Sequence, residues 1–192
     1  MEKKFLGVLA LTVLLACVLT LASSEAQQIV IDQQATLSDL FSSAKEQTRF
    51  ALESAALAST APTARAVISN ACSVLSTIEG RASAPLHPSC PINNAADAPP
   101  GIKSTVALIK SKIEQAALAD VGVTFRNIQT YLNKASDLTK DVLAKLTASE
   151  SKFEETKIDM LVVLAFLSAI KGRSDDAVAY GGLLTIEAHV GK

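Results

Sequence analysis

Cys72 and Cys90 are the first residues whose type and spacing suggest chemistry. They stand eighteen residues apart in a 192-residue chain, far from the C-x-x-C spacing of a thiol redox catalyst. That spacing suits a structural disulfide, which in chain-entropy terms would stabilise a fold by about 3 kcal/mol. The alternative is a pair of buried or free thiols. The two histidines are isolated: His87 sits between Leu86 and Pro88, and His189 lies two residues beyond Glu187. A pH-sensitive or metal-touching role for His87 would need a second ligand, and the neighbouring sequence offers none. Glu154-Glu155 and Asp175-Asp176 are adjacent carboxylates. Neighbours on a helix point in different directions, so both pairs read as charges at helix starts rather than as an acid/base pair. The chain contains no G-x-S-x-G, P-loop, G-x-G-x-x-G or H-E-x-x-H motif. No catalytic residue, metal site or cofactor is expected, and the chain reads as non-enzymatic.

Composition removes further classes. A formal net charge of −1 leaves no basic excess to neutralise a phosphate backbone, so nucleic acid is not an expected partner. Two His and three Cys cannot furnish a zinc-finger array or a dense disulfide scaffold. With 49% hydrophobic and 19% charged residues, the chain is too apolar to remain disordered.

The first two dozen residues address the chain. Lys3 and Lys4 precede an apolar run from Phe5 to Leu19 broken by one threonine, and small residues follow at Ser24 and Ala26. A positive start, an apolar middle and small residues at −3 and −1 mark 1–26 as a cleaved secretory signal peptide, cut after Ala26. Ala22 is a second candidate site. A run of about eighteen residues would also serve as a marginal membrane anchor if it were retained. Leu14-Leu15-Ala16-Cys17 loosely resembles the lipobox of bacterial lipoproteins, although Leu15 fits poorly and the apolar run continues past Cys17. Cleavage removes two acidic and two basic residues, so residues 27–192 keep a net charge of −1 and an even pair of cysteines. An even count in an exported chain favours one disulfide and a secreted or extracytoplasmic location. No Asn-x-Ser/Thr sequon occurs, so ordinary N-glycosylation is not expected.

The elements that must hold these residues are helical. After an extended arm at 27–35, Leu37, Leu40, Phe41, Ala44, Thr48, Ala51, Leu52 and Ala55 form one stripe of a helix over Leu37–Ser59. Thr36 or Ser38 can cap it, and Pro62 ends it. A second helix spans Thr63–Glu79, with Val67, Ile68, Ala71, Val74, Leu75 and Ile78 apolar and Gly80 as terminator. The stretch 81–101 holds five of the six prolines and places Cys90 in its middle, reading as a long loop pinned by the disulfide. A third pattern starts at Ile102, runs through Ile113 to Ala116 or Ala117, and resumes from Phe125 to Leu146. Gly122 either breaks or weakens it. Ser151 with Glu154 forms a capping box for a helix over 152–171. Its run Met160–Leu167 is apolar all round, which marks it as the central buried helix, and Leu164→Asp is expected to unfold the chain. Ser174, Asp175 and Asp176 start a last short helix with Gly181-Gly182 in its middle. The expectation is an all-α, single-domain bundle of five or six helices over 27–192, with one long Pro-rich loop.

Such a chain is expected to bind rather than to catalyse. The Met160–Leu167 helix is either core or one wall of a cavity for a lipid-like ligand, because Ala facing larger residues can leave space between helices. The primary expectation is a secreted helical protein carrying a small apolar or lipid-like ligand, stabilised by fatty acids. The alternatives are a protein-protein interaction or structural module using the 84–101 loop, or a membrane-anchored protein if the leader is retained. No ligand-binding residue is assigned.

Overall fold

Six α-helices make up most of the described residues, and no strand occurs among them. The computed structural model describes residues 35–80, 86–91, 100–116, 121–177 and 181–191. Helix α1 spans Leu37–Ser59, α2 Ala64–Glu79, α3 Ile102–Gln115, α4 Gly122–Ala148, α5 Phe153–Lys171 and α6 Leu183–Val190, with one 3-10 turn at Glu150–Lys152. From Leu37 onward the chain forms one compact unit. The leader with Cys17 and Ala26, the arm as far as residue 34, and most of the proline-rich stretch lie outside the described residues.

Helix α1 is the hub. Ala44, Ala51, Ala55 and Ala58 are fully buried along its inner face, and side chains this small let neighbouring helices approach closely. It packs against α2, α3, α5 and α6, and Lys45 reaches α6 through a 2.7 Å ion pair with Glu187. The turn into α2 is set locally: Thr63 has extended backbone and its hydroxyl accepts a hydrogen bond from the Ala66 N–H, an N-cap one residue after Pro62. Helices α4 and α5 run antiparallel. Tyr131 stacks on Phe166 at 6.0 Å between ring centroids. At the closed end, Lys145 pairs with Asp141 and Asp159 at 2.9 Å and with Glu155 at 3.0 Å. These hydrogen bonds, first the one to Asp159, hold the Lys145 ammonium well above the usual lysine range.

Glu79 ties three helices together at the end of α2. Its carboxylate accepts from Lys103 of α3 at 2.7 Å and from the Ser136 hydroxyl of α4, with Lys140 at 3.8 Å. Burial alone would push this carboxyl up, but the hydrogen bonds from Lys103 and Ser136 outweigh it and hold it below its ordinary 4.5. A carboxylate depressed in the folded state contributes stability above its unfolded pKa, lost as pH falls through the folded value. Glu79→Gln is therefore expected to cost about 2 kcal/mol at neutral pH. It should also flatten the decline in stability on the acid side. Urea midpoints of both chains between neutral pH and about pH 3 check this: curves that stay parallel would remove Glu79 as the source of that slope.

Three expectations are corrected. Helix α5 is not the central helix: Met160, Val163, Leu167 and Ile170 are buried, but Ile158, Leu161 and Val162 are exposed and Leu164 is only half-buried. An all-round apolar run carries no information about which face is covered, and the neighbours cover only one. The capping box at Ser151 does not form, because the 3-10 turn moves the cap two residues earlier. Ser149 accepts from the Ser151 N–H, and Glu154 pairs with Lys157 instead. The last helix does not start at Ser174. The Asp176 carboxylate accepts from the Arg173 N–H, a local turn that competes with helix, and α6 begins only after Gly182, whose N–H donates to Thr185 Oγ1. Gly172, at φ +62°, lies directly against Gly182, and any Cβ on it would stand 2.3 Å from the Gly182 nitrogen. Of the two alternatives for the third pattern, the break is the one found: α3 ends at Gln115 and α4 begins at Gly122, with Ala116 exposed and Ala117 outside the described residues.

Candidate functional site

The Cys72 and Cys90 sulfurs stand 2.03 Å apart, at disulfide distance. Around Cys90 the chain makes a tight turn in which the Cys90 N–H donates to His87 O at 2.9 Å and the Ser89 N–H to His87 Nδ1 at 3.2 Å. Ser89 Oγ meets Thr147 Oγ1 of α4 at 2.7 Å, so residues 86–91 are held to α2 by sulfur and to α4 by a hydroxyl pair. His87 is half-buried, and burial lowers its pKa. Its Nδ1 is occupied as an acceptor, which places the neutral ring's proton on Nε2. No group of three His, Cys, Asp or Glu poised for a metal occurs among the described residues. His189 is exposed in the last turn of α6.

Each paired carboxylate of the sequence has a cation beside it. Glu155 takes hydrogen bonds from Lys145 and Lys152, which lower its pKa, and Asp175 is lowered by a two-pronged bond from Arg173. Both shifts run opposite to what a general acid needs. Glu154-Glu155 does sit in the first turn of a helix, whereas Asp175-Asp176 sits in a turn.

Two apolar surfaces remain open. On α5, Ile158, Leu161 and Val162 are 64%, 51% and 43% exposed and fall on one face at helical spacing. On α1, Phe50 is 55% exposed and Leu57 lies one face-repeat further along. Open grooves also occur among the described residues. One of about 330 Å³ between α3 and α4 is edged by Lys103, Lys110 and Glu114, with Lys110 and Glu114 paired. A second, of about 510 Å³, lies beside the Cys72–Cys90 pair, with Ile68, Leu86 and Pro91 on its walls.

The third groove, about 460 Å³, lies between α1 and α2, with Pro100 on its edge. Its floor carries Gln47, which is only 8% exposed. Gln47 Nε2 donates to Ser43 Oγ at 3.1 Å, but Gln47 Oε1 accepts nothing, the one buried side-chain polar atom without a partner among the described residues. Leaving such an acceptor unmatched costs about 1–3 kcal/mol. Sequence reading passed over this residue because it took the α1 stripe for its apolar members. The signal was there: Gln47 falls three residues after Ala44 and four before Ala51, a polar side chain on the buried face.

No family model, curated protein or solved structure matches this chain.

Proposed function

We propose that the chain is an exported, non-enzymatic helical bundle that binds a small apolar or lipid-like molecule, in an open groove between helices rather than in an interior cavity. The observation that carries this reading is the α1–α2 groove, which the exposed Phe50 ring and Pro100 line together with the polar side chains of Ser43, Glu46, Ser76 and Thr77. Small-molecule sites combine mostly apolar walls with a few placed polar groups, and this groove has both. Export rests on the leader, and a cysteine pair at disulfide distance is compatible with an oxidising compartment. Among the described residues no helix is long and apolar enough to cross a membrane.

Mass spectrometry of protein recovered from its export route tests this. Under denaturing conditions the expected mass is that of residues 27–192 without a lipid, two hydrogens short for the Cys72–Cys90 bridge; a mass starting at a lipidated Cys17 would overturn the cleavage after Ala26. Under native conditions an additional small mass is expected, lost on denaturation. A bare native mass, with no small molecule retained, would count against the carrier reading. A second reading, docking of a protein through the 84–101 stretch, is favoured by the anchoring of residues 86–91 to both α2 and α4.

A further inference from the structure

We propose that the outer face of α5 is a dimerisation surface, on which a second copy of this chain packs antiparallel about a two-fold axis. The face is formed by Ile158, Leu161, Val162, Ala165 and Ala169, all exposed among the described residues. Ile158, Val162, Ala165 and Ala169 follow one another at intervals of four, three and four residues, the spacing of a seam that another helix can follow. No charged residue occurs between Asp159 and Lys171. About three turns of this face therefore lack the charges that an outward helix face ordinarily carries. Helices α1 and α4 do carry them, with Glu46, Arg49 and Glu53 exposed on the one and Lys134, Asp137 and Asp141 on the other. In a two-fold interface a patch meets its own copy, so a charged patch repels itself. This one has no charge to repel.

Side-chain size selects the second copy and its direction. The face is large at one end, with Ile158, Leu161 and Val162, and small at the other, with Ala165, Ser168 and Ala169. A parallel mate would set large beside large and small beside small, splaying one end and leaving the other gapped. An antiparallel mate centred between Val162 and Ala165 sets Ile158 against Ala169 of the second copy and Val162 against its Ala165. Each bulky side chain then has a small one opposite, and the two axes stay evenly spaced along the seam. The same direction brings the acidic first turn of α5, with Glu154 77% exposed, towards the exposed Lys171 in the last turn of the second copy. One helix face lies at the small end of specific interfaces, so the expected dissociation constant is on the order of 10 µM.

The test is sedimentation velocity of the full exported chain from about 1 to about 300 µM, a range that brackets this constant. Conversion from monomer to a particle of twice the mass is expected. Leu161→Asp and Val162→Asp each put a carboxylate into the seam. Either is expected to raise the dissociation constant about tenfold or more, while its circular dichroism melt in dilute solution stays that of the wild-type chain. Leu57→Asp, at an exposed apolar position on α1, is the control and should leave the dimer unchanged. For direction, Ile158→Cys and Ala169→Cys chains are mixed and treated with a short bismaleimide. The mixture is expected to yield cross-linked dimer, and either chain alone to yield little. A chain that stays monomeric throughout overturns the proposal and leaves the face to another occupant, a partner protein or a lipid surface. A dimer that survives both carboxylates on α5 overturns it too, as does a mixture that cross-links no better than the separate chains.

Discussion

Val163→Asp is expected to lower the stability by about 3–5 kcal/mol, whereas Leu161→Asp, two residues away on the same helix, leaves it within about 0.5 kcal/mol of wild type. Val163 is fully buried, in one stripe with Met160, Leu167 and Ile170. A carboxylate there would have no cation to pair with in that stripe, and an uncompensated buried charge costs about 3–5 kcal/mol. Overfilling or emptying the site adds to this. For a domain whose whole stability is about 5–15 kcal/mol, that is a third or more of the total in most of the range and a large fall in melting temperature. Leu161 is 51% exposed, so its replacement by Asp removes apolar surface already facing water. Far-UV circular dichroism melts of the two variants side by side decide the matter. Should Leu161→Asp unfold as readily as Val163→Asp, the outer face of α5 is covered in the protein. The description of α5 as one-sided would then be wrong.

That contrast also marks where sequence reading stops. Helix α1 was legible to its end residues, Leu37 and Ser59, because a stripe repeating every three to four residues and the following Pro62 are local signals. The same holds for α2, framed by Thr63 and by Gly80. The face that α5 buries was not legible. With eight apolar residues in a row from Met160 to Leu167, period says nothing, and the choice falls to the tertiary packing of α5 against α1 and α4. The start of α5 failed for another reason. Ser149 and Ser151 both satisfy the local rule for a cap, and only the inserted 3-10 turn selects the first. The candidate site was half legible. The Cys72–Cys90 pairing follows from parity and export, whereas the groove at Gln47 needs the α1–α2 crossing to exist before its unmatched acceptor has any meaning.

Gly101→Ala is expected to lower stability by about 3 kcal/mol through steric overlap, the upper end of what overpacking costs. Gly101 has an ordinary backbone conformation, φ −68° and ψ 165°, so alanine is not excluded by its own dihedrals. The obstacle is the end of α2: a Cβ at position 101 would stand 2.3 Å from Gly80 N and 2.6 Å from Ile78 O. Backbone atoms at that range cannot rotate away, and the two helix ends must part. Their separation would stretch the Glu79–Lys103 ion pair and shift Pro100, the next residue back and part of the lining of the α1–α2 groove. Gly80 faces the same contact with an added constraint, since its φ of +81° already disfavours any side chain. Gly191→Ala is the matched control. It is exposed, and its Cβ would meet only Glu187 O at 3.2 Å. For a domain of this size 3 kcal/mol corresponds to a fall in Tm of about 6–12 °C. Gly101→Ala melting beside Gly191→Ala would mean that α2 and α3 do not meet end to end. If the helix ends do meet, Gly101→Ala should also weaken the small-molecule binding proposed for the α1–α2 groove while Gly191→Ala leaves it unchanged, because the contact that closes α2 onto α3 also places Pro100 at that groove.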